Sequence, residues 1–208
     1  MDDPECFLCR PDPKLAILDS SDVYGMVGLG PITSEYVILA AKSHVRSLAD
    51  VAVRFPKIIA SFQSVRAKLE TAIGKPLLMT EHGRVPVCRD DGDQHDQHCF
   101  HAHALFFSSQ RPTILADAKQ FYGQCQEFAS LPQALTAVGE ANGYFLLSPE
   151  PNRVLLLTEP LNAPRQLART LVAISEGVPD LADWRDWPRY DEALEMAKSL
   201  RQCVGGDV

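Results

Sequence analysis

Within residues 98–107, HCFHAHALFF, apolar and polar positions alternate from Phe100 to Ala104 before an apolar run. Side chains two apart in a strand share a face. His101, His103 and Leu105 therefore lie on one side, and Phe100, Ala102, Ala104 and Phe106 on the other. The second face is fully apolar and suits a core; the first carries two imidazoles that core packing does not require. Elsewhere the period changes. In residues 47–73 the apolar positions Leu48, Val51, Val53, Phe55, Ile58, Ile59, Phe62, Val65 and Leu69 recur at helical spacing and predict one amphipathic helix. Residues 34–42, SEYVILAAK, form a short apolar run between polar flanks and predict a buried strand. Residues 76–80 predict a second strand that runs into Glu81-His82-Gly83. Residues 115–128 predict a helix, 143–148 and 153–157 two strands, Pro164 to about Glu176 a helix, and 190–202 a last helix. Several strands are adjacent in sequence, which favours an α+β fold with an antiparallel sheet over repeated βαβ units.

Composition narrows the partners. At 208 residues and 46% apolar, the chain is long enough for one domain with a sizeable core. The formal net charge is −7 and no basic run is present, which disfavours nucleic-acid polymers and anionic membrane surfaces. The first residues, MDDPECFLC, lack a signal-peptide pattern, and no apolar run approaches the roughly 20 residues of a membrane span. The expected compartment is the cytoplasm. In a reducing compartment six cysteines point to metal ligands or buried thiols rather than to disulfides.

Cys6 and Cys9 have the CxxC spacing that brings two thiolates to one metal. A redox motif of the thioredoxin type needs a helix immediately afterwards, and Arg10-Pro11-Asp12-Pro13 precludes one. A closed zinc site needs two more ligands, and His44, just past the first predicted strand, is well placed to be one. The His101/His103 pair admits two readings. Both imidazoles can be satisfied by backbone carbonyls, or one ligates metal while the other stays metal-free as a nucleophile. Between residues 84 and 97 lies a long polar loop containing His95, with His98 just beyond it; both histidines are expected to be solvated. Cys88, Cys125 and Cys203 lack a partner spacing and are expected to be ordinary thiols.

In order and spacing, CFLC, VILAAKSHVRSL, TEHG and HAHALFF resemble the motifs of the histidine triad (HIT) superfamily. The C-terminal part, RQLARTLVAISEGVPDLADWRDWPRYDEAL, resembles a bacterial branch with a Gln-x-x-Arg helix and a WDWR-like segment. The resemblance implies a HIT-like fold, an antiparallel half-barrel sheet with flanking helices and a C-terminal helical extension. Residues 1–110 would form the core, and residues 111–208 would complete the same domain. It implies a structural zinc ion on Cys6, Cys9, His44 and His101, with His103 as the nucleophile. The reaction would be hydrolysis or transfer at the α-phosphorus of a nucleotide through a covalent nucleotidyl-histidine. The expected partner is a nucleotide or nucleotide-linked small molecule, and pairing into a homodimer is common in the family.

Where the family has a third His or Gln, this chain has Leu105. Losing one donor at a developing charge costs about 10²–10³ in rate. A nucleotide-binding or regulatory module without turnover is therefore an alternative, and a zinc-stabilised interaction domain is a third. A rival register places Cys99 at the metal and makes His101 the nucleophile. His82, Gln166 and Arg169 are the expected substrate contacts, Arg169 through its guanidinium fork. Trp184, Arg185 and Trp187 are expected to pack around the last helix.

Overall fold

A computed structural model describes residues 6–85, 100–164 and 166–204. Eight strands pair into one antiparallel sheet: β1 (Ala16–Asp19), β2 (Val23–Val27), β3 (Tyr36–Ala41), β4 (Leu78–Gly83), β5 (His103–Phe107), β6 (Tyr122–Phe128), β7 (Tyr144–Glu150) and β8 (Arg153–Pro160). Their order is β1-β2-β3-β5-β4-β7-β8-β6. The helices are α1 (Leu48–Arg54), α2 (Pro56–Ile73), α3 (Thr113–Lys119), α4 (Leu131–Ala137), α5 (Leu167–Ser175) and α6 (Tyr190–Val204), with a short 3-10 turn at Pro179–Leu181. The architecture is α+β, as the pattern predicts. Among the described residues no helix is long and apolar enough to cross a membrane.

β5 lies inside the sheet, between β3 and β4. Ile38 pairs with Leu105 and Leu105 with Thr80, while Leu39 pairs with Ala104 and Met79 with Phe106. Cross-strand partners share a face. Ala104 and Phe106 are fully buried in the core, and His103 and Leu105 on the opposite face are half-buried. The alternation seen in the sequence thus sorts β5 into a packed side and a side open to ligand.

Two predicted helices need correction. The stripe over residues 47–73 breaks at Phe55 into α1 and α2, because Pro56 opens α2 and a proline disfavours helical geometry in the residue before it. Ser47 caps α1 by accepting a hydrogen bond from the Asp50 N–H at 3.2 Å. The helix predicted over 115–128 holds only as α3; from Tyr122 the chain is strand β6. β6 is an edge strand pairing only with β8, and residues 123–127 are exposed. With neither face buried, these residues carry no two-residue hydrophobic period to be read.

Candidate functional site

Four side chains from distant parts of the chain meet beside β5. Sγ of Cys9 lies 3.0 Å from Nδ1 of His44 and 3.6 Å from Nδ1 of His101. Sγ of Cys6 lies 3.4 Å from Nδ1 of His101. One ligand atom from each residue falls within 4.8 Å of the others. Zinc–sulfur and zinc–nitrogen bonds of about 2.3 and 2.1 Å at a tetrahedral angle separate sulfur from nitrogen by about 3.6 Å; the two distances to His101 match that value, and the Cys9–His44 distance is shorter. Nε2 of His101 meets the Ala41 carbonyl at 2.7 Å. A carbonyl only accepts, so Nε2 carries the proton and Nδ1 keeps its lone pair facing the sulfurs. This outer hydrogen bond fixes a ligating tautomer. The cluster fits a metal site in ligand type, spacing and tautomer.

His103 is set differently. Its Nδ1–H donates to the His101 carbonyl at 2.6 Å, which leaves the Nε2 lone pair unprotonated. Burial pushes this imidazole down to about 4, against the opposing pull of that hydrogen bond. A neutral ring with one nitrogen held by backbone and the other bearing a lone pair is the form a nucleophile requires. His103 lines a cavity of about 370 Å³, together with Met26, Ile38, His82, Leu105 and Trp184. Its volume is in the range of small-molecule sites.

His82 comes from β4. Its Nε2 is hydrogen-bonded to the Tyr122 hydroxyl at 3.0 Å, and its ring meets Phe145 edge-on at 5.8 Å. Burial, and then the nearness of a second imidazole in His103, hold His82 down to about 4. The preceding residue, Glu81, faces the other way and is fully buried. It accepts the Leu48 N–H at 2.7 Å and the Tyr144 O–H at 2.9 Å. Tyr144 in turn accepts the Ala49 N–H at 3.1 Å, so β4 and β7 jointly receive the first turn of α1. Burial raises the Glu81 carboxyl to about 8. Gly83 completes the motif because a Cβ there would stand 2.0 Å from the Tyr144 ring.

The C-terminal candidates divide. Gln166, in the left-handed region at φ 52, lines the cavity. Its Nε2 donates to Asp183 at 3.0 Å, and its Oε1 is buried without a partner among the described residues. Arg169 also lies on the cavity wall, but its fork faces backbone. Nε donates to the Ala182 carbonyl, Nη1 to Leu29, and Nη2 to Gly30 and Leu181, at 2.8–3.2 Å. The guanidinium stands over the Tyr36 ring at 5.2 Å. It therefore staples the loop after β2 to the segment after α5. Trp184 and Trp187 are exposed rather than packed, and Trp184 joins the cavity wall. Sequence reasoning did not find Tyr122 or Phe7. Phe7 also lines the cavity and sits inside the CxxC motif, which is a usable signal. Cys88, His95, His98 and Cys99, and with Cys99 the rival register, lie outside the described residues. Cys125 and Cys203 are exposed.

No protein-family model matches the chain, and no curated protein matches it. Solved structures do. The chain is similar to a histidine triad protein from Clostridium difficile at 18% identity, over 53% of this chain and 95% of that one, with a TM-score of 0.40. A zinc-bound histidine triad family protein from Mycobacterium smegmatis aligns at 20% identity, over 51% and 76% of the two chains, with a TM-score of 0.35. A hypothetical histidine triad nucleotide-binding protein from Sulfolobus tokodaii aligns at 11% identity, over 97% of each chain, with a TM-score of 0.36.

Proposed function

We propose that this protein is a nucleotidyl hydrolase or transferase of the histidine triad type, acting at the α-phosphorus of a nucleotide-linked small molecule. The observation that carries the reading is the tautomer of His103. Its Nδ1–H is held by the His101 carbonyl at 2.6 Å, so the Nε2 lone pair is available in a cavity of substrate size. Attack by Nε2 forms a nitrogen–phosphorus bond, and the bond to the leaving group breaks with its electron pair. Water or another acceptor then attacks phosphorus and frees the imidazole. Cys6, Cys9, His44 and His101 would hold zinc, which would brace the chain start against β5; four protein ligands leave no position for a reactive water.

The test is turnover of adenosine 5′-phosphoramidates and dinucleoside polyphosphates by wild type and His103→Ala, with intact-mass detection of a nucleotidyl adduct. Turnover and adduct that both vanish in His103→Ala are the expected result. Turnover surviving in that variant but lost in His101→Ala would transfer the nucleophile to His101.

A second reading, a nucleotide-binding module without turnover, is favoured by Leu105, an apolar residue on the same cavity wall as His103. Nucleotide-induced stabilisation without turnover, unchanged by Leu105→His, would replace the first reading with this one.

A further inference from the structure

A histidine nucleophile leaves one task undone. The atom that departs from phosphorus carries away an electron pair and, unless it is intrinsically stable, needs a proton. Leu105 has none to give. From the neighbouring strand β4, His82 faces this gap. Thr80 pairs with Leu105, and counting two residues along each antiparallel strand brings His82 to the level of His103. Residues two apart share a face, so His82, His103 and Leu105 belong to one side of the sheet. All three line the same cavity.

We propose that His82, oriented by Tyr122, gives the leaving atom the proton that a third triad histidine would supply. The assignment rests on the nucleotidyl-transfer reading above. Tyr122 engages Nε2 of His82, so Nδ1 is the ring nitrogen that meets the ligand. Tyr122 is a positioning residue; it is buried and acts through His82. Before reaction the negative charge of bound phosphate favours the imidazolium form of His82, which burial disfavours in the empty cavity. In the first step the Nε2 lone pair of His103 forms the bond to phosphorus. The phosphorus–leaving-atom bond breaks, and the Nδ1 proton of His82 moves to that atom. His82 is then neutral, still donating Nε2–H to the Tyr122 oxygen. In the second step water attacks phosphorus, gives its proton to Nδ1 of His82, and the nitrogen–phosphorus bond returns its pair to His103. Both histidines finish as they began.

The role predicts dependence on the leaving group, which a purely structural role does not. The experiment compares an adenosine 5′-phosphoramidate of an alkylamine, whose leaving nitrogen needs a proton, with adenosine 5′-(4-nitrophenyl phosphate), whose leaving oxygen does not. The rate of adduct formation, the first step alone, is measured on both for wild type, His82→Asn, Tyr122→Phe and His103→Ala. General acid catalysis is worth about 10²–10⁴ in rate. His82→Asn is expected to lose at least tenfold more on the phosphoramidate than on the nitrophenyl ester. Tyr122→Phe is expected to lose about 2- to 10-fold in the same direction, the worth of one hydrogen bond. Equal losses on both substrates in His82→Asn, with the His103 adduct still formed, would overturn the proton-donor role and leave the nucleophile standing. No adduct and no turnover of either substrate by wild type would overturn the nucleotidyl-transfer reading, and this role with it.

Discussion

His103 takes its orientation from His101. The carbonyl of His101 receives the Nδ1–H of His103 at 2.6 Å, while the His101 ring is held between the two cysteine sulfurs and the Ala41 carbonyl. A single residue thus belongs to the cysteine–histidine cluster through its side chain and to the cavity through its backbone. Disturbing the cluster is therefore expected to change the cavity without altering any cavity residue.

Elemental analysis of purified protein is expected to give about one zinc per chain, and Cys6→Ser well below that. Structural metal binding is worth several kcal/mol and more, so chelation or Cys6→Ser should lower Tm by on the order of 10 °C or more. Metal content unchanged in Cys6→Ser would remove Cys6 from the ligand set.

Glu81 makes stability depend on pH. Its carboxyl titrates near about 4.3 when unfolded, and burial raises it to about 8 in the fold. Between these values the folded chain binds the extra proton, so stability falls as pH rises. The contribution is complete below the unfolded value and gone once pH passes the folded one. Glu81→Gln keeps the shape; its oxygen can accept the Leu48 N–H, and its amide nitrogen can donate to the Tyr144 oxygen. The Tm of wild type is expected to fall between about pH 5 and 8 relative to this variant. Parallel Tm curves would show that Glu81 is ionised in the fold across this range.

Arg169→Met removes four hydrogen bonds to carbonyls and leaves those oxygens unmatched. Breaking a buried network of this kind costs about 3 kcal/mol or more, or roughly 6–12 °C in Tm for a chain of this length. Metal content should be untouched. A Tm within about 2 °C of wild type, under 1 kcal/mol, would show that the staple between residues 29–30 and 181–182 is dispensable.

Of the two tryptophans, Trp184 stands on the cavity wall. Adding AMP is expected to change the intrinsic tryptophan emission, and Trp184→Phe is expected to abolish that change while binding, followed by calorimetry, persists. An emission change that survives in the variant would assign the signal to Trp187 and move the ligand away from Trp184.

Much of this arrangement was legible locally. The two-residue period of β5 sorted His103 and Leu105 from Ala104 and Phe106, because burial of one face writes that period into the chain. The CxxC spacing and the place of His44 just after β3 marked members of the cysteine–histidine cluster by residue type. What stayed hidden depends on contacts between distant strands. Tyr122 meets His82 across 40 residues, and β6, an edge strand with exposed sides, read as helix. Arg169 reads as a phosphate-binding fork in the sequence, since nothing local announces that four backbone carbonyls converge on it. Phe55 counted toward the helical stripe, while Pro56, the next residue, ended the helix there.

The reach between Cys6 and His101 bears on the order in which the chain folds. The two proposed ligands are 95 residues apart, and closing a loop of that length costs about 4 kcal/mol of chain entropy. An unfolded chain can gather Cys6 and Cys9 on an ion from the outset, since they are neighbours. With a metal at the proposed site, His101 would join at the least entropic cost once β3 and β5 have paired and carried residue 101 to Cys6. Full coordination would then come late, sealing a sheet whose centre is already assembled.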